Sequence, residues 1–235
     1  MIYTGPQIVT TDLAFYLDAG NTKSYPGTGT TWYNRASSDG VFYDANAINS
    51  PTFSSLNNGT MVFDGVDSYY QSTATTNSVG MIGGNFTVNV WYYTDLGYTS
   101  SVTGQGGSLF ASDTASVEGG AYQMLFRGDN INSYLYVAFY STEQHIRHIP
   151  SQWFMFTHTY NFTTKISKAY RNGVLFSTAT KTTDLFATGF IKIGRGSFGA
   201  GSFNGKIPIV QIYKRDISAD EVLQNYNALK SRFNL

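Results

Sequence analysis

The sequence predicts an all-β fold, a sandwich or a barrel of antiparallel strands, on the basis of three observations. Segments rich in β-branched and aromatic residues, the usual composition of strands, recur along the whole chain of 235 residues. Several of these segments alternate apolar and polar residues with the period of two that is typical of a half-buried strand. Turn dipeptides such as Asn172-Gly173 separate the segments, and many short strands with such turns favour a sandwich or a barrel.

The strands can be placed in order along the chain. Residues 86–93 have the β-branched and aromatic composition of a strand. Within residues 134–140, the positions Leu135, Val137 and Phe139 suit a core face, and the alternate positions form a stripe of tyrosines on the opposite face. Further strands are expected at 13–17, 61–63, 68–72, 108–111, 121–127, 154–160, 166–171, 174–179, 189–194 and 206–213.

Turn chemistry separates these strands. Asn172-Gly173 predicts a two-residue hairpin, because a type I′ turn needs a positive φ at both of its central positions. The same chemistry marks further turns at Asn58-Gly59, Asp64-Gly65 and Asn204-Gly205.

One helix is predicted near the C-terminus, at about residues 219–231. Ser218 and Glu221 have the spacing of a capping box, and Ile217 and Val222 occupy the two positions of a hydrophobic staple. Apolar residues then recur at helical spacing, which predicts one apolar face that docks on the sandwich. These residues are Val222, Leu223, Tyr226 and Leu229.

The composition argues against several classes of function. Fifteen Lys and Arg balance fifteen Asp and Glu, so the chain lacks the basic excess of a nucleic-acid binder. No segment approaches the roughly 18 apolar residues of a membrane-spanning helix, so no membrane insertion is expected. The first residues lack the basic and apolar regions of a signal peptide, so we expect synthesis in the cytoplasm. The absence of cysteine excludes disulfides, thiolate metal sites and a cysteine nucleophile.

Several segments, taken in their order and spacing, carry a resemblance to a known family. The chain resembles the laminin-G-like, concanavalin A-like jelly rolls over about residues 10–235, and it is similar to the variant found in structural proteins of tailed phages. The similarity to that phage group lies at the two ends of the chain. It comprises Leu-Asp-Ala-Gly-Asn at 17–21, followed by 24–29, and the segment 222–230. The segments that carry the family resemblance are 17–21, 62–69, 86–91, 168–174, 191–195, 203–206 and 212–221.

The resemblance implies an all-β fold, an antiparallel β-sandwich jelly roll of the concanavalin A-like type with one short C-terminal α-helix. We expect a single domain at residues 13–235. Residues 1–12 form an N-terminal arm that docks on a neighbouring subunit, or an edge strand. The family also implies adhesion to sugars or proteins and, in some members, a calcium ion at the sandwich edge. Asp64 and Asp67 are the candidate ligands, with turn chemistry as the alternative interpretation.

An enzymatic function is not expected. Glycoside hydrolysis needs two carboxyl groups about 5–10 Å apart, and the three glutamates, Glu118, Glu143 and Glu221, show no alternating acidic motif. No Gly-x-Ser-x-Gly elbow occurs, and the glycine pattern at 194–199 lacks the strand and helix of a phosphate-binding loop. The histidines are interpreted as surface or structural residues, the first two in a loop: His145, His148 and His158.

Aromatic residues provide the main functional signal. Tyrosine and tryptophan rings stack on the apolar faces of sugars, but they are also enriched at protein interfaces and they fill cores. All three interpretations stay open for the candidates, whereas Trp91 in mid-strand is expected in the core. The candidate glycan-binding or partner-binding residues are Trp32, Tyr33, Tyr69, Tyr70, Tyr98, Tyr134, Tyr136 and Tyr140.

The resemblance therefore predicts a non-enzymatic structural or adhesive protein of a phage virion. It would be displayed on the particle surface as a capsid decoration or as part of a tail fibre or other appendage. The expected partners are other virion proteins, further copies of the chain in a homo-oligomer, and host-surface glycans. The alternative is a soluble, lectin-like carbohydrate-binding module, and a glycoside hydrolase is the least favoured interpretation.

Overall fold

A computed structural model describes residues 6–95, 106–113, 117–128, 133–139, 143–196 and 201–235. In this part of the chain the strands form two antiparallel eight-stranded sheets that pack face to face. The strands are β1 (Leu13–Asp18), β2 (Thr31–Trp32), β3 (Ala45–Ile48), β4 (Thr52–Ser54), β5 (Thr60–Asp64), β6 (Tyr69–Thr75), β7 (Phe86–Tyr93), β8 (Ser108–Asp113), β9 (Ala121–Gly128), β10 (Ser133–Ala138), β11 (Glu143–Arg147), β12 (Trp153–Tyr160), β13 (Ile166–Arg171), β14 (Val174–Thr180), β15 (Phe190–Ile193) and β16 (Asn204–Tyr213).

The two sheets bring together strands that are far apart in the chain. The first sheet has the order β14-β13-β12-β7-β16-β5-β4, and β1 pairs with the C-terminal half of β16. The second sheet has the order β11-β10-β9-β8-β15-β6-β3-β2. The predicted antiparallel sandwich is confirmed, and β11 and β14 lie at the edges of their respective sheets.

The main core fills the space between the two sheets. Leu135, Val137 and Phe139 point into it, as their alternation predicts, and none of the three is exposed to solvent. Aromatic rings meet across this core, for example Phe86 and Tyr122, whose centroids lie 5.6 Å apart in a T-shaped contact. Because one face of each strand is buried here, the alternate face is the one available for contacts outside the sandwich.

A second apolar layer covers the outer face of the first sheet. The predicted helix is confirmed as α1 (Ala219–Leu229), and a 3₁₀ turn (Lys230–Phe233) follows it. Its capping box is present, because the Ser218 hydroxyl accepts a bond from the Glu221 amide while the Glu221 carboxylate accepts one from the Ser218 amide. Trp91 packs beneath, stacked on Tyr226 and on Phe233 at centroid distances of 5.8 and 4.4 Å.

Residues 6–12 pack irregularly against this layer of their own chain. The Val9 amide donates to Asn225 Oδ1 at 2.8 Å, and the Tyr213 hydroxyl donates to the Val9 carbonyl at 3.0 Å. Gln224 Nε2 donates to the Gln7 carbonyl at 2.8 Å. The described part of the N-terminus therefore connects α1 to the first sheet. No helix of the described residues has the length and apolarity needed to cross a membrane.

The turn predictions have different outcomes. Asn172 and Gly173 have φ values of 52° and 83°, which confirms the two-residue hairpin between β13 and β14. The prediction of a turn at Asn204-Gly205 is wrong, because both residues lie in β16 and pair with β5. The reason is a close approach of backbone, since a Cβ atom on Gly205 would lie 2.3 Å from the Tyr93 carbonyl oxygen.

Candidate functional site

Strands β9, β10 and β11 place three rows of side chains on the outer face of the second sheet. The period of two puts these side chains opposite to the core residues Leu135 and Val137. The pairing register joins one residue of each strand in every row. The first row is Arg127, Tyr134 and Arg147; the second is Leu125, Tyr136 and His145; the third is Gln123, Ala138 and Glu143.

Three aromatic rings form the centre of this surface. Tyr134 and Tyr136 are half-buried and His145 is exposed. The His145 ring lies 5.4 Å from the Tyr134 ring and 5.1 Å from the Tyr136 ring, and the two tyrosine rings are 6.3 Å apart. We refer to Tyr134, Tyr136 and His145 as the aromatic platform. Part of the predicted tyrosine stripe is therefore present as a surface cluster.

Arg127 crosses the platform and covers one of its rings. Its guanidinium carbon lies 5.2 Å from the centroid of the Tyr136 ring, and its Nη1 forms an ion pair with Glu143 on β11. Burial raises the pKa of the Tyr136 hydroxyl, and the negative charge of Glu143 raises it further. Tyr136 is therefore already engaged by neighbours within the protein.

We call Tyr134 the open ring of the platform, because among the described residues no other ring or guanidinium group is stacked flat on it. The plane of the Tyr134 ring makes an angle of 66° with the Tyr136 ring and of 90° with the His145 ring, so neither ring lies flat on it. Tyr134 also contributes to a groove of about 540 Å³ that runs from the platform towards β14. His145 and Arg147 line one side of this groove, and Phe176, which is 49% exposed, lines the other. The groove thus joins the neighbouring edges of the two sheets.

Two of the candidate residues lie in the core. Trp32 and Tyr70 have no solvent exposure and their rings meet at 5.3 Å, so the expectation that they contribute to a surface site is wrong. The reason is strand geometry, because consecutive residues of a strand point to opposite faces. Of the pairs Trp32-Tyr33 and Tyr69-Tyr70, only the partners Tyr33 and Tyr69 keep exposed surface.

The other candidates do not join the platform. Tyr33 is 44% exposed, but it follows β2, at the opposite edge of the second sheet from β11. Tyr69 lies on β6 beneath Arg195, whose guanidinium carbon is 5.2 Å from the ring centroid. Tyr98 and Tyr140 lie outside the described residues.

Sequence reasoning missed three members of the site, Arg127, His145 and Arg147. His145 was expected in a loop, but it lies in β11, an edge strand. The segment Glu143–Arg147 contains one apolar residue, Ile146, so its sequence has no alternation of apolar and polar residues that could have predicted this strand. Which residues lie beside Tyr134 depends on the register in which β9, β10 and β11 pair. A local sequence pattern does not specify this register.

The two candidate calcium ligands lie at a turn whose hydrogen bonds occupy one of them. Asp64 Oδ1 accepts bonds from the Val66, Asp67 and Ser68 amides and from the Ser68 hydroxyl, at 2.8 to 3.3 Å. The bond from the Val66 amide contributes most to holding the pKa of this carboxyl below its usual value. Within the described ranges, no group of three or more His, Asp or Glu side chains could hold a metal ion. Calcium binding stays a prediction.

The chain matches one family model and many solved structures. Residues 63–223 match the Laminin_G_3 model, which is described as the concanavalin A-like lectin/glucanases superfamily. Domain 4 of AbnA, an extracellular GH43 arabinanase from Geobacillus stearothermophilus solved with arabinotriose, has a TM-score of 0.66 at 15% identity. That match covers 93% of this chain and 100% of the arabinanase domain. No curated protein matches the chain in sequence.

Binding domains of botulinum neurotoxins share the same fold. The serotype C1 binding domain has a TM-score of 0.67 at 13% identity, with 93% of this chain and 52% of the toxin domain covered. The DC binding domain, solved with rat synaptotagmin II, has a TM-score of 0.65 at 13% identity, with the same coverage. The chain therefore spans about half the length of these toxin domains. With the family model matched over most of its length, the chain belongs to the concanavalin A-like lectin/glucanases superfamily and has its jelly-roll sandwich.

Proposed function

We propose that this domain is a non-catalytic adhesion domain that binds glycans through the aromatic platform. The observation that supports this proposal most strongly is the open ring of Tyr134, which is half-buried, fixed in a strand and adjacent to a groove. A ring held in this way offers a flat apolar surface at a low cost in conformational entropy. The apolar face of a sugar ring is complementary to such a surface.

The neighbours of Tyr134 supply the polar half of such a site. Arg147 and His145 border the groove, and Glu143 contributes a carboxylate to its lining. Charged donors and acceptors form stronger hydrogen bonds than neutral ones, and sugar hydroxyls can accept or donate. An apolar surface with a few placed polar groups is the usual composition of a small-molecule site.

Two solved relatives support the use of this scaffold for sugars. The arabinanase domain was solved with arabinotriose. A further botulinum structure, of neurotoxin type C, concerns the dependence of cell entry on two ganglioside molecules. A catalytic role is less well supported, because the three described rows hold one carboxylate, Glu143, which is paired with Arg127. Glycoside hydrolysis canonically uses two carboxyl groups.

Replacing Tyr134 by Ala is expected to weaken glycan binding about tenfold or more, equivalent to about 1.4 kcal/mol of binding free energy. The substitution removes the stacking surface, and stability should change little because the side chain lies on the outer face. A glycan array would identify the ligand, and isothermal titration would measure its dissociation constant for both proteins.

Tyr33→Ala is the matched control, since Tyr33 is an exposed tyrosine at the far edge of the same sheet. It should bind the ligand as the unmodified protein does. If Tyr134→Ala bound the glycan with unchanged affinity, the proposed site would be wrong. If it instead dissociated an oligomer, the platform would be a subunit interface.

The surface of a phage particle is the setting that we propose for this domain. The support is the similarity of residues 17–21, 24–29 and 222–230 to phage structural proteins, together with a charged fraction of only 13%. A surface with few charges suits packing against neighbouring subunits, either of virion proteins or of further copies, because charged residues are depleted at the centre of protein interfaces.

The copy number of the protein in purified particles tests this setting. Quantitative mass spectrometry against the major shell protein should find it at a fixed stoichiometry. Hundreds of copies per particle would indicate capsid decoration, and a few to a few dozen would indicate a tail fibre or appendage. Its absence from the particles would contradict the virion setting and favour a soluble lectin-like module.

A further inference from the structure

Among the described residues, the surface around the groove beside Tyr134 has more cationic than anionic side chains. The chain as a whole is neutral. Glu143 and Arg147 line the groove itself, and two further arginines of the described residues, Arg127 and Arg171, lie next to these two side chains. Arg171 belongs to this surface because its Nη1 donates to the Arg147 carbonyl at 3.3 Å and its guanidinium carbon lies 5.9 Å from the Phe176 ring. Local charge of one sign in a concave surface attracts ligands of the opposite sign.

The arginines differ in whether their charge is already compensated. Glu143 forms an ion pair with Arg127, which also lies over the Tyr136 ring. Arg171 lies over the rings of Phe154 and Phe176. The Arg147 side chain is exposed, and no carboxylate of the described residues lies within ion-pair distance of it. Of the three arginines, Arg147 is the one with an exposed side chain, and among the described residues its charge has no carboxylate partner.

Arg147 also has the right position for a ligand on Tyr134. The two residues are direct cross-strand partners of β10 and β11 on the same face. The Cβ atoms of such partners are about 4.5–5.5 Å apart. A sugar ring stacked on Tyr134 would therefore have its edge, where its substituents project, next to the guanidinium of Arg147.

We infer that the glycan bound at this site is acidic and that its carboxylate pairs with Arg147 while its ring stacks on Tyr134. This inference rests on the proposed function. The planar guanidinium presents two parallel N–H groups that match the two oxygens of a carboxylate. In sugar acids the carboxylate is attached directly to the ring, so it lies within reach of Arg147 without a flexible spacer.

The same arrangement discriminates against a neutral sugar. A neutral ring on Tyr134 would displace water from the Arg147 guanidinium without providing a countercharge. Leaving a charged donor partly desolvated and unpaired costs binding free energy. Selectivity for the acid therefore follows both from the new ion pair and from the penalty on the neutral ligand.

Matched ligand pairs test this inference. Galacturonate oligosaccharides and sialyllactose would each be compared with their methyl esters, by titration at 50 and 300 mM salt. The acidic member should bind at least tenfold more tightly, with a preference that decreases at high salt. In Arg147→Gln the preference should disappear, because the acidic member loses its ion pair while the neutral member binds at least as tightly as before. Arg35→Gln, which replaces an exposed arginine near Tyr33, should keep the preference.

The outcomes separate the inference from the proposed function. If the acid and its ester bound equally well, and Tyr134→Ala abolished the binding of both, the inference of an acidic ligand would be wrong. The proposed glycan binding at Tyr134 would still stand. If a sulfated sugar bound more tightly than its carboxylated counterpart, the inference that the acidic group of the ligand is a carboxylate would be wrong. If no sugar of an array containing both acidic and neutral glycans bound, the proposed function itself would be wrong.

Discussion

Replacing Asp18 by Asn is expected to lower the free energy of unfolding by about 3–5 kcal/mol, because it leaves a buried guanidinium without its countercharge. Asp18 Oδ1 accepts a bond from Arg232 Nη1 at 2.6 Å, and both side chains are 11% exposed. Denaturant unfolding, followed by tryptophan fluorescence, would measure the loss. The isosteric change keeps the shape of the side chain, so packing contributes little to the effect.

The expected size of this effect follows from what Arg232 connects. Besides Asp18, its guanidinium donates to the carbonyl oxygens of Asn57, at 2.6 Å, and Gly59. The adjacent residue, Phe233, stacks on Trp91. Arg232 thus fixes the C-terminal turn to the first sheet, and a partly uncompensated charge there would also weaken the second apolar layer.

Asp39→Asn is the matched control. Asp39 also pairs with a cation, Lys214, at 2.7 Å, but its side chain is 86% exposed. Exposed ion pairs contribute about 0–1 kcal/mol, so this variant should unfold close to the midpoint of the unmodified protein. Equal stabilities for the Asp18 and Asp39 variants would mean that water solvates Arg232 and that its pairing with Asp18 is not a structural requirement.

Lowering the pH from 7 to 5 is expected to destabilise the fold by about 3–4 kcal/mol through two buried histidines. Burial lowers the pKa of His148 to about 4, with a smaller contribution from Arg171. Burial, and then the charge of Lys181, holds the pKa of His158 well below its usual value. Both rings are hydrogen-bonded, His148 to Thr94 at 2.7 Å and His158 to Ser167 at 2.6 Å.

The direction follows from proton linkage. Below the ordinary histidine pKa of about 6.5, the unfolded chain binds protons that the folded chain does not, so stability falls by about 1.4 kcal/mol per pH unit for each histidine. The stability that depends on the two neutral histidines is therefore fully present above about pH 6.5 and is lost as the pH falls towards 4. The hydrogen bond with Arg215 lowers the pKa of Glu221 to about 2. The stability that this carboxylate contributes is therefore lost only below about pH 5.

Thermal unfolding as a function of pH would measure this dependence, with the double variant His148→Gln and His158→Gln as the test. The double variant should be less stable at pH 7 but should lose most of the slope between pH 7 and 5. His145→Gln, which changes the exposed histidine of the platform, should keep the slope. A stability that is constant from pH 7 to 5 in the unmodified protein would contradict the role of the buried rings.

Much of the fold could be predicted from local patterns. The period of two in β10 predicted the core positions Leu135 and Val137, and the spacing of Ser218 and Glu221 predicted the start of α1. Asn172-Gly173 predicted its hairpin in the same way. Each of these features depends on residues within a few positions of one another, so the sequence contains the whole of the signal.

The site was predictable only in part. Composition identified tyrosines as the functional signal, and alternation placed Tyr134 and Tyr136 on one face. Trp32 and Tyr70 were misplaced because composition does not decide which of two adjacent aromatic residues points inwards. That choice depends on which face of the strand meets the other sheet.

By itself, the sequence determined most of the long strands, the helix with its cap, the zero net charge of the chain and the family, but not the strands β2, β3, β4 and β11. Only the tertiary structure decided that Arg147 lies beside Tyr134 and that Arg232 meets Asp18 across 214 positions of the chain. It also decided that His158 is fully buried. The physical reason is that a strand specifies its own alternation, whereas its partners and their register are chosen by the burial of two whole sheets against each other.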